Sequence, residues 1–232
     1  VISTRDLAQS LESLRQHLKI EQIHTLIGGS LGGQVALEWA YTLGQRLQHA
    51  IIIASTAKTS PWVIGFNEAQ RMAIAADSTW GQNHQDAGKK GLEAARAVAM
   101  LSYRNPSDLN TKQKESEEKI DGFLAASYLR YQGAKLANRF QSFSYWTLTK
   151  AMDSHDLGRG RGGVEMALKS IHAQVFAVGV NSDLLFLAEE ARFLSQAVPS
   201  GSYGEIVSKA GHDAFLIEFT QLTSLIEEFY RS

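Results

Sequence analysis

Cysteine is absent from the 232 residues, which excludes a disulfide framework, a thiolate metal site and a cysteine nucleophile, and fits a reducing compartment. An excess of either charge is also absent. Lys and Arg total 23 against 24 Asp and Glu, a net charge of −1, so the chain lacks the positive field that draws proteins to nucleic acid or acidic membranes. No stretch of 18 apolar residues occurs, so no membrane span is expected. The opening residues, Val1 to Gln16, contain no apolar core of a secretory signal. The length is enough for one α/β core with an insertion, but not for two full domains.

The patterning that is present reads as α/β. Leu7, Leu11, Leu14 and Leu18 recur at helical spacing, which predicts a surface helix packing this stripe on a sheet. Ile23 to Ile27 is a short strand, broken by Gly28-Gly29-Ser30-Leu31-Gly32-Gly33, and a helix resumes at Gln34 to Ala40. Ala50 to Ala54, nearly all apolar, reads as a parallel strand covered on both faces, with Ser55 opening its exit loop. From Pro61 to about Gly163 the chain turns helical, around 66–77, 87–102, 123–138 and 144–151, with Asn110 to Lys119 as a solvated link or helix end. The α/β pattern returns with a short helix near 163–170, a strand at 174–180, a helix at 188–198, a strand at 203–207 and a final helix at 215–229. The expected organisation is therefore an α/β core at 1–60 and 164–232 carrying a helical insertion at 61–163.

Gly28-Gly29-Ser30-Leu31-Gly32 fits the G-x-S-x-G nucleophile elbow, with the required strand before it and helix after it. Small residues let the chain bend without a Cβ clash while Ser30 Oγ rises above the sheet. The helix N-terminus then aims amides at charge developing on an acyl oxygen, which makes the Leu31 amide an oxyanion donor. A bare glycine turn is the plain alternative. A phosphate loop is not, because no Lys-Ser/Thr follows and the G-x-G-x-x-G spacing is unmet. Downstream, Asp183 follows the 174–180 strand and His212 follows the next one, so Ser30, Asp183 and His212 stand in the chain order of an α/β-hydrolase-type triad. In that arrangement His212 takes the Ser30 proton and Asp183 fixes its tautomer. The other six histidines show no metal-ligand spacing.

Beyond the triad, the chain resembles the homoserine O-acetyltransferase family. The resemblance lies in the elbow with Ala36 to Ala40, Ser60-Pro61-Trp62, Phe66 to Arg71, Tyr128 to Gly133, Leu148 to Asp156 and Gly211 to Phe215, and so extends over nearly the whole chain. It implies an α/β-hydrolase fold with a mostly parallel sheet and a helical lid. It also implies a cytoplasmic enzyme of methionine biosynthesis that acylates Ser30 from acetyl-CoA and passes the acetyl group to L-homoserine. Acetyl-CoA is then a co-substrate and no cofactor is permanently bound. The same resemblance makes Asp213 the holder of the substrate ammonium, and Arg96, helped by Tyr103, the holder of its carboxylate. A homodimer through the insertion is implied as well. Arg71 and Arg104 are rival carboxylate binders, and Tyr103 could equally be a packing aromatic. Leu31 departs from the methionine common in the family, which alters packing only.

The family begins well upstream, with early strands and the loop bearing the second oxyanion amide. Together with the lack of an initiating Met, this gives the expectation that sequence lies upstream of residue 1. Without it, an open sheet edge, an incomplete oxyanion hole and poor activity are expected. The alternatives are a transferase using serine or a succinyl donor, a serine ester hydrolase, and a non-catalytic scaffold in which Ser30 and His212 stand out of hydrogen-bond reach.

Overall fold

The computed structural model describes residues 1–231. Four strands, β1 (Ile23–Gly29), β2 (Leu47–Ile53), β3 (Gln174–Val180) and β4 (Gly201–Ile206), form one sheet in the order β1-β2-β3-β4. Every neighbouring pair is parallel, with Gly29 opposite Ile53 and Ile53 opposite Val178 at the carboxyl ends. Parallel strands need helical crossovers, and α2 (Leu31–Leu43) and α9 (Ala188–Ala197) supply two of them. Alternation along the strands splits the core between the two faces. Ala50, Ile52, Val175 and Ala177 pack with Leu37, Leu194 and Leu168, the last from the short α8 (Val164–Lys169). Ile51, Ile53, Phe176 and Val178 pack with Ile206 and Phe229, the latter on α10 (Phe219–Arg231).

Between β2 and β3 run α3 (Pro61–Ala75), α4 (Lys89–Tyr103), α5 (Pro106–Lys112), α6 (Leu124–Ala137) and α7 (Ser142–Asp153). They form a lid-like layer with its own small core of Ile74, Leu92, Ala95 and Leu136, flanked by stacked Trp80 and Trp146. α3 starts where Ser60 caps the Val63 amide and Pro61 takes the first helical turn, whose N–H would be unsatisfied anyway. The layer is pinned at its neck: Lys58 and Asp156 form an isolated bridge and a 3.0 Å ion pair, and Leu157 N donates to Ala57 O. Trp62 Nε1 donates to Leu184 O at 2.6 Å, which ties α3 to the loop that follows β3.

The first helix, α1 (Thr4–His17), turns the opposite face inward from the one its leucines predict. Thr4, Ala8, Glu12 and Arg15 are buried, whereas Leu11, Leu14 and Leu18 are exposed. The buried polar groups satisfy one another. Glu12 receives Arg15 and Trp39 Nε1, at 2.8 and 2.9 Å, and Thr4 bonds His155. The Arg15 and Trp39 bonds hold the Glu12 carboxyl down at about 2. This face, with Glu12 bonded to Trp39 of α2, packs inward, while Leu7 and Leu11 border an apolar groove beside β1. β1 is the outer strand of the sheet, and among the described residues no strand pairs with its free side. Residues 211–216 form a 3-10 turn, so the last helix opens at Phe219 and not at Phe215, and α5 was not predicted. No helix among the described residues is long and apolar enough to cross a membrane.

Candidate active site

β1 ends at Gly29 and α2 begins at Leu31, so Ser30 alone makes the bend, with φ 55° and ψ −125°. A non-glycine residue held there costs about 1–3 kcal/mol, and the surroundings enforce it. Ser30 N donates to Ile53 O at 2.9 Å, and the buried Ser55 hydroxyl donates to Ser30 O at 2.8 Å. Gly28 is required by close approach, since a Cβ there would lie 2.3 Å from Gly32 O. As the first residue of α2, Leu31 has an N–H with no carbonyl one turn earlier to accept it. It is therefore placed to meet negative charge beside Ser30 Oγ.

Asp183 is carried by the loop after β3 and is 3% exposed. Its Oδ1 accepts the Leu185 and Phe186 amides at 2.7 and 3.0 Å, and its Oδ2 lies 2.6 Å from His212 Nδ1. A carboxylate can only accept, so Nδ1 carries the imidazole proton and Nε2 is left as an acceptor. That nitrogen is 2.9 Å from Ser30 Oγ, whose hydroxyl donates to it. The ring is boxed by Tyr103, Phe186 and Phe215, with centroids 5.5, 5.5 and 5.6 Å away. Gly211 admits this placement: at φ 72° its missing Cβ would meet Tyr103 O at 2.5 Å.

Above Ser30 lies a cavity of about 290 Å³ bounded by Leu31 below and by Gln70, Tyr103, Leu136, Arg139 and Tyr145 from the helical layer. Tyr145 donates to Gln70 Oε1. Burial pushes the Tyr103 and Tyr145 hydroxyls upward, so both are neutral donors near neutral pH. Among the described residues no group of three or more His, Cys, Asp or Glu side chains is arranged to hold a metal ion.

A family model described as alpha/beta hydrolase fold matches residues 2–219. The chain belongs to the alpha/beta hydrolase fold family. It is homologous to homoserine O-acetyltransferases. The protein of that name from Cyclobacterium marinum is 61% identical over 229 residues, covering 99% of this chain and 65% of the relative. That from Chloroherpeton thalassium is 41% identical over 230 residues, covering 98% and 61%. The crystal structure of homoserine O-acetyltransferase from Staphylococcus aureus superposes with a TM-score of 0.83 at 30% identity, over 100% of this chain and 65% of that one. The chain thus spans less than two thirds of the length of these relatives.

Within this alpha/beta hydrolase the sequence-predicted residues divide. Ser30, Asp183 and His212 come together, with Leu31 beside them. Arg96 sits with its guanidinium carbon 5.1 Å from the Tyr103 ring centre and, among the described residues, makes no ion pair with a carboxylate. The two rivals are committed elsewhere. Arg71 is 2% exposed and bonds Glu68 and Asp153 at 2.6 and 2.5 Å, so its charge is neutralised inside the fold, with only Nη1 left buried and without a partner among the described residues. Arg104 pairs with Asp213 at 3.4 Å and donates to the Tyr128 hydroxyl. Asp213 therefore already faces one cation. Sequence reasoning missed Ser55, which it took only as the start of a loop, and Arg139, which follows a helix end and carries no motif.

Proposed function

We propose that Ser30, Asp183 and His212 are the catalytic triad of an acyltransferase that moves an acetyl group from acetyl-CoA to the hydroxyl of L-homoserine. The observation that carries this reading is the continuous hydrogen-bonded line from Ser30 through His212 to Asp183 beneath a roofed cavity. In the first half, His212 Nε2 takes the Ser30 proton as Oγ attacks the thioester carbonyl, and the oxyanion forms against the Leu31 amide. The C–S bond then breaks, the thiol leaves with the proton from His212, and acetyl-Ser30 remains. In the second half, His212 deprotonates the homoserine hydroxyl, which attacks the acetyl carbonyl and releases Ser30 with its proton restored. Water must lose that second step, and the helical layer over Ser30 supports its exclusion.

A zwitterionic acceptor needs one cation and one anion set apart. Arg96 is the arginine we assign to its carboxylate, since Arg71 and Arg104 are paired, with Tyr103 as a neutral donor beside it. Asp213 is assigned to its ammonium, which requires the substrate to share or displace Arg104. The kinship with homoserine O-acetyltransferases supports this acceptor and donor over a simple ester. We also assign residues 1–60 and 164–232 to the core and 61–163 to the lid, which the Lys58–Asp156 neck supports. Leu101, Ile120, Phe123 and Tyr131 of the lid are exposed, and they are apolar side chains that a homodimer through the insertion would cover. The cysteine-free composition supports a cytoplasmic location.

The test is release of thiol from acetyl-CoA with and without L-homoserine, with mass analysis of the product and Ser30→Ala as control. Homoserine-dependent release giving O-acetylhomoserine is expected. Release indifferent to homoserine would move the assignment to an ester or thioester hydrolase.

A further inference from the structure

Next to the Ser30 cavity, across a partition made by Arg139 and Phe140, lies a second hollow of about 540 Å³ whose lining is largely polar. Pockets for drug-sized ligands span roughly 300–1,000 Å³, so the 290 Å³ cavity over Ser30 can take a thioester arm and a small amino acid but not the nucleotide end of coenzyme A. That end must lie outside, and the partition residues belong to both spaces. The 12-residue α7 begins in the second hollow. Its cap residue, Gln141, makes no side-chain bond to the helix amides, and no acidic residue stands in the first turn. Those amides and the positive end of the helix are therefore available to an anion. Independently, Ser142, only 4% exposed, lines the same hollow with a hydroxyl that has no hydrogen-bond partner among the described residues. Arg139 is exposed and, among the described residues, unpaired, while Lys89 is opposed at 3.2 Å by Asp86, which also lines the hollow. One acidic group thus faces two basic ones and a helix N-terminus.

We propose that this hollow is the subsite for the phosphate groups of the acyl donor, with Ser142 and the first amides of α7 as the cradle and Arg139 at the partition. The inference rests on the acyl-CoA reading above and names the part of that substrate the second hollow takes. It makes Arg139 a specificity-determining residue that separates a coenzyme A thioester from an uncharged acetyl donor.

The experiment compares acetyl-CoA with S-acetylpantetheine, which carries the same thioester without phosphate, in the whole enzyme and in Arg139→Ala, Arg139→Lys and Ser142→Ala. The ratio of kcat/KM for acetyl-CoA over S-acetylpantetheine is expected to fall about tenfold in Arg139→Ala, through KM, as loss of a charge-assisted contact should. It should recover in part in Arg139→Lys and fall about threefold in Ser142→Ala. Adenosine 3′,5′-bisphosphate should compete with acetyl-CoA in the wild type and less well in Arg139→Ala. Ratios within twofold of wild type in both alanine variants, or a wild type that does not distinguish the two donors, overturn the subsite and leave the Ser30 reading standing. Failure of the wild type to transfer from either donor overturns both.

Discussion

Replacing Asp183 with asparagine tests the triad through a tautomer and not through shape. The Asp183 Oδ1 accepts two buried backbone amides, from Leu185 and Phe186, and only a carbonyl oxygen can go on doing so. Turning the new amide round would leave both donors without an acceptor, at about 1–3 kcal/mol each. The side-chain carbonyl in Asp183→Asn is thereby fixed toward the loop and its NH2 toward His212 Nδ1. A donor facing Nδ1 selects the tautomer protonated on Nε2, and that nitrogen, now N–H, can no longer accept the Ser30 proton. In serine-protease triads the same change lowers kcat by about 10⁴, which at about 1.36 kcal/mol per decade is roughly 5 kcal/mol of transition-state stabilisation. We expect that loss in both acetyl-CoA turnover and the acylation burst with 4-nitrophenyl acetate, at a Tm within a few degrees of wild type. Asp183→Ala, which abandons the two amides as well, should lose comparable activity and melt lower. A well-folded asparagine variant losing less than about tenfold would refute the assignment of Asp183 as the group that fixes His212.

Three further outcomes follow from the same geometry. Gly28→Ala places a methyl 2.3 Å from the Gly32 carbonyl inside the elbow, where backbone must move, and should cost at least about 1–3 kcal/mol in denaturant unfolding together with most of the activity. Arg71→Met strands the Asp153 carboxylate that it pairs with inside the lid and should destabilise by about 3–5 kcal/mol, with much of the loss recovered on adding Asp153→Leu. Glu190 is raised from an ordinary 4.5 to about 7, first by burial and then by the Asp183 charge, and its Oε2 is buried without a partner. The native state thus holds this proton more tightly than the unfolded chain, so the stability it confers is present below about 4.5 and lost as pH rises through about 7. Glu190→Gln removes that loss. The variant should gain about 1–2 kcal/mol on wild type between about pH 4.5 and 8, the partial exposure of the side chain being allowed for, and parallel stability curves would exclude the effect.

The hydrogen-bonded line from Ser30 through His212 to Asp183 was legible because each of its signals is local or topological. A glycine elbow must sit between a strand and a helix, and an acid and a histidine must follow later strands, so spacing alone placed three residues that the fold brings within hydrogen-bond reach. The strand at 174–180 was equally readable, being apolar at every position from Val175. What spacing could not show is partnership at long range. The leucines of α1 advertise a buried stripe, yet Glu12 and Arg15 neutralise each other beneath Trp39 and that face packs instead. Arg71 reads as a rival carboxylate binder until Asp153, 82 residues on, is found against it. Asn105-Pro106 did carry a helix start, a capping side chain followed by proline in the first turn, and α5 could have been read from it. Ser55 bonds the Ser30 carbonyl and Arg139 borders the Ser30 cavity, and nothing in their sequence surroundings announces either place.

Passage of the acyl group through Ser30 is read most directly from the intact mass and peptide map of the protein quenched shortly after mixing with acetyl-CoA. A single acetyl group on the Ser30 peptide is expected, discharged at the rate of turnover when L-homoserine is added and absent in Ser30→Ala. Turnover that continues with no acetyl group on Ser30, or with the label on another residue, would contradict it.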